Sequence, residues 1–320
     1  MHREGRAEAP PLPPFPYMGK QIMKRILPIL LVILMLILGL GLLFYPDVAS
    51  WLSARDQAGA VLVYNDEIAQ MRAEYIEDHF RRAEEYNQAL NGGYIEDPFV
   101  QGSGAVLPPA YYLETLNIRG MMGRIEIPRL DIDLPIFHTV FPDVLNRGVG
   151  HIEGTSFPIG GTGTHAVLTA HSGLANATMF TPLLPSHGGI EYGDIFVISV
   201  LDRRLAYEVD SIISVLPHEI ETLRIDQTAD YVTLVTCTPF AINSHRLFVR
   251  GFRVPYEPEV IAEIEVDLPS PIDWRMLIVV GFVILFLLAI LIYKIVSYRR
   301  ELQRERAFLQ KLEREWSRKL

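Results

Sequence analysis

The chain has 320 residues, of which 49% are hydrophobic, and a net charge of −9 at pH 7. Its apolar residues are concentrated in two blocks. The long segment between them, residues 46–293, contains 15 Arg, no Lys and 32 acidic residues. A segment with a net charge of −17 repels phosphate, which argues against nucleic-acid binding.

The two apolar blocks predict membrane-spanning helices. Residues 26–45 and 276–293 are almost free of charge, and each is long enough to cross about 30 Å of hydrocarbon. A cleaved signal peptide is the alternative for the first block. However, its apolar run exceeds the usual ~7–15 residues, and no A-x-A-like cleavage site follows. We therefore expect an uncleaved anchor and a second span.

The segments between each apolar block and its nearer chain terminus are basic, which predicts the orientation of the two spans. Residues 1–25 hold five Lys or Arg, and residues 294–320 hold nine. Because positive flanks stay inside, both termini should be cytoplasmic and the segment between the spans extracellular. The Pro-rich start indicates a disordered stretch or a translation start at Met18 or Met23. The basic tail indicates either an amphipathic helix on the inner membrane surface or a solvated, charged helix.

The extracellular segment begins with a helical part, residues 46–122. Apolar residues recur at helical spacing between residues 56 and 91, and Gly92-Gly93 supplies a stop. The apolar residues that define this face are Ile68, Met71, Tyr75, Phe80, Ala83, Tyr86 and Leu90. From Gly92 to Met122 the sequence predicts a long loop, and loops of that length are usually functional or disordered.

Strand patterns begin at Gly123. Short apolar runs punctuated by Gly and Pro continue to Val254, with no fixed repeat. The runs are 125–137, 165–170, 194–200, 205–215, 231–237 and 245–254. The pattern predicts an all-β barrel or sandwich over residues 123–256, preceded by the helical part and joined to the second span by a linker, residues 257–275.

Cys237 is the only cysteine in the chain, so an internal disulfide is excluded. A single thiol outside the cell is buried and inert, paired with another chain, or reactive. It ends the apolar run YVTLVTC, and Pro239 follows two residues later. A side chain at a strand end is held rigidly while it still faces a cleft, as a nucleophile requires.

Two other strand ends carry chemistry that suits a thiol. His171 ends the run THAVLTAH, and its imidazole could exchange protons with the thiol and a leaving amine. Arg246 follows Cys237 by nine residues, which suits a turn and a return strand, and its guanidinium could stabilise an oxyanion. His165 has the same strand parity as His171 but starts its strand, so it should lie at the opposite end. Each residue alone is also compatible with a purely structural role.

Together these segments resemble the signature of the sortases, the Gram-positive surface transpeptidases built on an eight-stranded β-barrel. The resemblance covers about Gly123 to Val254 and includes TLVTC, LTAHSG and the opening GRIEIPRLDIDLPIF. It implies that Cys237 is the nucleophile, His171 the general acid/base, and Arg246 the residue that orients the substrate and stabilises the oxyanion. Thr236 is carried over as a cleft-wall residue.

Two further features resemble the pilus-building class C sortases, namely the second span and Asp97-Pro98-Phe99 in the loop before the barrel. In that class such a motif lies over the active site as a lid. The resemblance implies that Asp97 pairs with Arg246 and that Phe99 covers Cys237. Alternatively, the tripeptide is an ordinary turn, since Asp-Pro is common in turns.

The expected function is cleavage of an LPXTG-like sorting signal between Thr and Gly, followed by transfer of the acyl group to a pilin lysine. One alternative is a sortase that attaches surface proteins to a peptidoglycan precursor. Another is a non-catalytic, membrane-tethered surface domain in which Cys237 is a core residue. No cofactor is expected, and no metal, because the histidines are scattered without ligand spacing.

Overall fold

The computed structural model describes residues 16–90, 109–173, 179–257 and 274–318. The chain divides into two compact units. One comprises Met1–Tyr45 with Pro271–Leu320, and the other comprises Pro46–Ser270. Each unit is described by itself.

The first unit contains the two apolar blocks, and each lies within a longer helix. Helix α1 spans Pro16–Ala69, and helix α5 spans Trp274–Ser317. In the part of the chain that the structure describes, Leu31–Ala69 and Ile278–Leu312 are long and apolar enough to cross a membrane. Leu42, Leu43, Phe282 and Leu285 are exposed, as is expected of side chains that face lipid rather than a protein core.

In the described part of the second unit, three helical segments precede the strands: the end of α1, α2 (Ala73–Ala89) and α3 (Ala110–Glu114). The sequence predicted one helical stretch over residues 56–91, whereas the structure interrupts it between Ala69 and Ala73. At this interruption the Gln70 and Met71 amides bond to Glu67 and Ile68, three residues back, so the helix ends in tight turns.

The helices are held to the strands by a buried face. Helix α2 buries Phe80, Ala83 and Tyr86, which lie on one side at helical spacing. From α1, the Tyr64 hydroxyl donates to the Met122 carbonyl at 3.1 Å and accepts from the Leu201 amide at 2.9 Å. Both contacts join the helical part to the strands within one hydrophobic core.

Eight strands close into a barrel in the order β1-β2-β3-β4-β7-β8-β6-β5. Their bounds are β1 Met121–Ile127, β2 Ile132–His138, β3 Val149–His151, β4 Thr164–Thr169, β5 Ile195–Val200, β6 Arg203–Val215, β7 Asp230–Thr238 and β8 His245–Val254. Helix α4 (Pro142–Leu145) links β2 to β3. The pairs β2–β3 and β4–β7 are parallel, and the others are antiparallel. The predicted eight-stranded barrel with preceding helices is confirmed.

Buried imidazoles fasten α3 and the residues after it to the barrel. The His138 Nε2–H donates to the Thr115 carbonyl at 2.7 Å, and the His151 Nε2–H donates to the Ser156 carbonyl at 2.8 Å. The Tyr112 hydroxyl lies 2.9 Å from the second ring nitrogen of His151. Burial lowers the pKa of His138 to about 4 and that of His151 to about 3.

These lowered pKa values predict acid sensitivity of the fold. Unfolded histidines take up protons near pH 6.5, whereas the buried pair stays neutral until about pH 4 and 3. Stability is therefore fully present above about pH 6.5 and is lost as the pH falls towards the folded pKa values. Between pH 7 and pH 5 we expect a loss of about 2 kcal/mol per histidine.

Urea unfolding of the detergent-solubilised chain at the two pH values measures this loss. His138→Gln keeps a donor for Thr115 but does not titrate, so it should reduce the loss between pH 7 and pH 5 by about 2 kcal/mol. An unchanged pH dependence in this variant would contradict the assignment.

Candidate active site

Cys237 is the penultimate residue of β7 and has a buried, reduced thiol, with 7% relative exposure of the residue. Strand side chains alternate between faces, so Cys237 shares a face with Val235, while Val232 and Leu234 lie on the other face. Val232 and Leu234 belong to the main core of the barrel. Val235 belongs to a separate apolar cluster. Cys237 therefore lies on the outer face of β7, close to the end of the strand.

Arg246 lies directly opposite Cys237 in the antiparallel pairing of β7 with β8. Side chains directly opposite in such a pair have Cβ atoms roughly 4.5–5.5 Å apart. Arg246 is buried, and its Nη1 donates to the carbonyls of Asn243 at 3.1 Å and His245 at 3.2 Å. These bonds hold the guanidinium at the turn between the two strands, beside the thiol-bearing residue.

His171 lies just beyond the end of β4, on the other side of β7. In the parallel pairing of β4 with β7, Thr169 is level with Val235. Continuing this register by two residues places His171 level with Cys237. Burial lowers the pKa of the half-buried His171 imidazole below its ordinary value of 6.5. Cys237 and Arg246 are therefore paired on adjacent strands, and the continued register places His171, which follows β4, at the same level.

His165 lies at the opposite end of β4, as the sequence predicted. Its ring nitrogens lie 3.0 Å from the Arg224 carbonyl and 2.7 Å from the Thr233 hydroxyl. Six residues of strand separate it from His171, a distance of about 20 Å. His165 is therefore engaged in structural contacts far from the thiol.

An apolar cluster borders the site on the same outer face. Val235 and Phe248 lie two residues from Cys237 and Arg246, respectively, and their side chains are buried together. The other members are Ile152, Val167 and Leu223, with Val140, Ile213, Val215 and Ile220 packed against them. This surface was not predicted from the sequence. The sequence did contain a signal for it. Strand β6 and the segment after it carry more apolar residues than the inner core of the barrel can bury, which indicates a second apolar cluster outside that core.

Of the three remaining predicted site residues, the structure describes one. Asp97 and Phe99 lie outside the described residues. Thr236 is fully buried, and its hydroxyl donates to the Ala170 carbonyl at 2.8 Å. In this position it braces the end of β4. Among the described residues, no group of three or more His, Cys, Asp or Glu side chains could hold a metal ion.

A thiol with an imidazole and a guanidinium on the two neighbouring strands suits covalent acyl transfer. A family model described as the sortase domain matches residues 125–254. Sortase A of Bacillus anthracis is 25% identical over 137 residues, which cover 43% of this chain and 61% of that relative's length. The chain belongs to the sortase family, whose members are cysteine transpeptidases.

The chain is also similar in sequence and fold to solved structures of C sortases. Sortase C-1 of Streptococcus pneumoniae is 40% identical, with a TM-score of 0.57, over 61% of this chain and 97% of that chain. Sortase C-1 of Actinomyces oris is 44% identical, with a TM-score of 0.53, over 57% of this chain and 99% of that chain. Sortase C1 of pilus island 1 from group B Streptococcus is 36% identical, with a TM-score of 0.58, over 65% of this chain and 96% of that chain.

Proposed function

We propose that this chain is a pilus-building sortase that joins pilin subunits through a cysteine-bound acyl intermediate. The observation that carries the proposal is that Cys237 lies opposite Arg246 in the pairing of β7 with β8, while His171 follows the end of β4, the strand on the other side of β7. A purely structural cysteine has no need of an imidazole on one neighbouring strand and a buried guanidinium on the other.

The chemistry follows from these three side chains. The His171 imidazole takes the thiol proton, and the Cys237 sulfur attacks the carbonyl carbon of the Thr–Gly bond in an LPXTG-like signal. Arg246 donates hydrogen bonds to the oxyanion that forms. The bond to glycine breaks, its amine takes the proton from His171, and a thioester remains. A lysine amine then attacks the thioester, loses a proton to His171 and regenerates the thiol.

The apolar cluster beside the thiol supports an apolar, extended signal. Val235 and Phe248 continue the face that carries Cys237 and Arg246. Val235 and Phe248 are themselves buried, but Ile213, Val215 and Ile220, which pack against them, are only partly buried. Side chains such as the leucine and proline of LPXTG would contact this exposed apolar area and remove it from water. The signal would then run along the outer face and reach the thiol with its Thr–Gly bond.

The distribution of lysine supports an acceptor amine from another protein. The chain has five lysines, Lys20, Lys24, Lys294, Lys311 and Lys319, and none in residues 25–293. The extracellular segment therefore offers no ε-amine of its own to the thioester. A partner pilin that presents a lysine would meet no competition from the enzyme.

The acceptor distinguishes the proposal from its nearest rival. Structural neighbours include a sortase C of S. pneumoniae studied for pilin substrate specificity and a pilus-related sortase C. Similarity to these proteins supports a pilin lysine, rather than a peptidoglycan precursor, as the acceptor. In a competition assay with one LPXTG peptide, a pilin with its acceptor lysine and a stem peptide, the pilin should receive the acyl group. Preferential labelling of the stem peptide would favour the anchoring function.

We also propose that the enzyme is held in the cell membrane by both apolar helices, with the barrel outside and both termini in the cytoplasm. Basic residues on the two flanks support this orientation. Its substrates would then be exported proteins that carry sorting signals at the same membrane surface.

For the loop before the barrel we propose a lid in which Asp97 pairs with Arg246 and Phe99 covers Cys237. Removing either side chain, as in Asp97→Ala or Phe99→Ala, should speed alkylation of the thiol by about tenfold, by exposing a covered nucleophile. Glu96→Ala, which removes the acidic side chain just outside the motif, is the control. Equal alkylation rates in the wild type and all three variants would favour an ordinary turn.

A further inference from the structure

The short segment that carries His171 is held by several directed contacts. Strand β4 ends at Thr169, yet the Ala170 amide donates to the Val235 carbonyl at 3.2 Å, and the Phe180 amide donates to the His171 carbonyl at 3.0 Å. The Thr236 hydroxyl donates to the Ala170 carbonyl at 2.8 Å. The backbone on both sides of the imidazole is therefore fixed, although the regular strand has ended.

Ser172 contacts the backbone of Cys237 itself. Its hydroxyl donates to the carbonyl of Cys237 at 2.7 Å, and its side chain is buried. In a parallel ladder the bonds are evenly spaced, so the rung after Ala170–Val235 would join the amide of residue 172 to the carbonyl of residue 237. Here the regular pairing has ended, and the hydroxyl of Ser172 donates to the same Cys237 carbonyl.

The adjoining turn is fastened in the same way. Gly173 has φ +77°, a conformation that favours glycine, and its amide donates to the Thr181 hydroxyl at 3.0 Å. A Cβ added at Gly173 would lie 3.3 Å from the Ala241 nitrogen, in the loop between β7 and β8. A left-handed glycine conformation therefore follows Ser172 directly, and the serine bond lies beyond the last regular pair of the two strands, Thr169 and Val235.

We propose that Ser172 is a positioning residue that holds the His171 backbone level with Cys237 through its bond to the Cys237 carbonyl. This inference rests on the proposed function, since it concerns proton exchange between the two side chains. Ser172 touches neither substrate nor sulfur in this role. It fixes the separation between two strand ends, on which efficient proton transfer depends.

The test compares three full-length variants in detergent with a sorting peptide and an amine acceptor. Ser172→Ala removes the bond, and Ser172→Thr keeps a hydroxyl. Ser156→Ala is the matched control: the Ser156 hydroxyl accepts from the His165 amide at 3.1 Å, so this variant also loses one buried serine bond, but at the far end of β4. S172A and S156A should each lower Tm by about 2–4 °C.

Only S172A should impair the chemistry. We expect its kcat to fall about tenfold or more with KM unchanged, because misplaced groups slow the step without weakening binding. The pH at which alkylation of Cys237 is half-maximal should also rise, since a less well-placed imidazolium stabilises the thiolate less. S172T should retain at least about half of the wild-type kcat, because its hydroxyl can make the same bond.

A kcat for S172A within twofold of wild type would overturn the inference, as would an equal loss in S156A. If S172A does not fold, S172T decides: a kcat reduced about tenfold despite the retained hydroxyl overturns the inference. The proposed function is tested separately by the wild-type chain. Wild-type turnover that requires Cys237 preserves the function whichever way the Ser172 variants behave.

Discussion

Replacement of Cys237 by alanine is expected to abolish isopeptide-linked pilin ladders in cells that carry no other copy of the enzyme. The loss should exceed about 10³-fold in kcat, because no other group can carry the acyl intermediate. Cys237 is the only thiol in the chain, so no second cysteine can substitute for it. Ladders on denaturing gels measure the effect.

Because the chain has a single cysteine, chemical modification supplies a control that needs no substitution. Alkylation of the wild-type chain can modify only one cysteine, so activity should decline in step with incorporation of a single label. S156A serves as a folding control with an intact thiol. Ladders that persist in the alanine variant, or activity that survives complete alkylation, would count against Cys237 as the nucleophile.

Replacement of Arg246 by lysine is expected to lower kcat by about 10²–10³-fold, a loss typical of removing an oxyanion donor. Lysine keeps the positive charge but lacks the planar fork of donors. It cannot reproduce the two bonds to Asn243 and His245 while also pointing a donor at the oxyanion. Steady-state kinetics with a sorting peptide and an amine acceptor measure the effect.

Arg250 provides the matched control for this variant. It lies four residues further along β8 and donates to both carboxylate oxygens of Asp210, at 3.0 and 2.8 Å. Arg250→Lys should reduce stability modestly, because it weakens a two-bond ion pair far from the thiol, and should leave kcat near the wild-type value. Equal losses in the two variants would show that an arginine-to-lysine change anywhere on β8 impairs turnover, and would contradict a special role for Arg246.

Local sequence pattern predicted the strands well where both ends carry a clear signal. Strand β8 was predicted at residues 245–254 and is observed as His245–Val254, because its aromatic and β-branched residues are bounded by polar turns. Strand β4 was predicted one residue late, at 165–170 instead of Thr164–Thr169. The three-residue strand β3 was not predicted, since so few residues give no periodicity.

The site illustrates what a local pattern can and cannot specify. Sequence predicted that His171 and Arg246 would both lie near Cys237, but the order of the strands depends on pairing between distant segments. The parallel pairing of β4 with β7 joins residues more than 60 positions apart, and no local period encodes it. The serine bond that closes this pairing was missed for the same reason, since it depends on where β4 ends relative to β7.

The sulfur atom of Cys237, on the barrel's outer face, is expected to become acylated by a sorting signal. Intact-mass spectrometry of the native chain, quenched in acid after mixing with an LPXTG peptide and no amine, tests this acylation most directly. We expect an added mass equal to the peptide up to threonine, located at Cys237 and released by hydroxylamine. A native chain that gains no such mass, or gains it at another residue, would contradict the enzyme assignment and favour a non-catalytic surface domain.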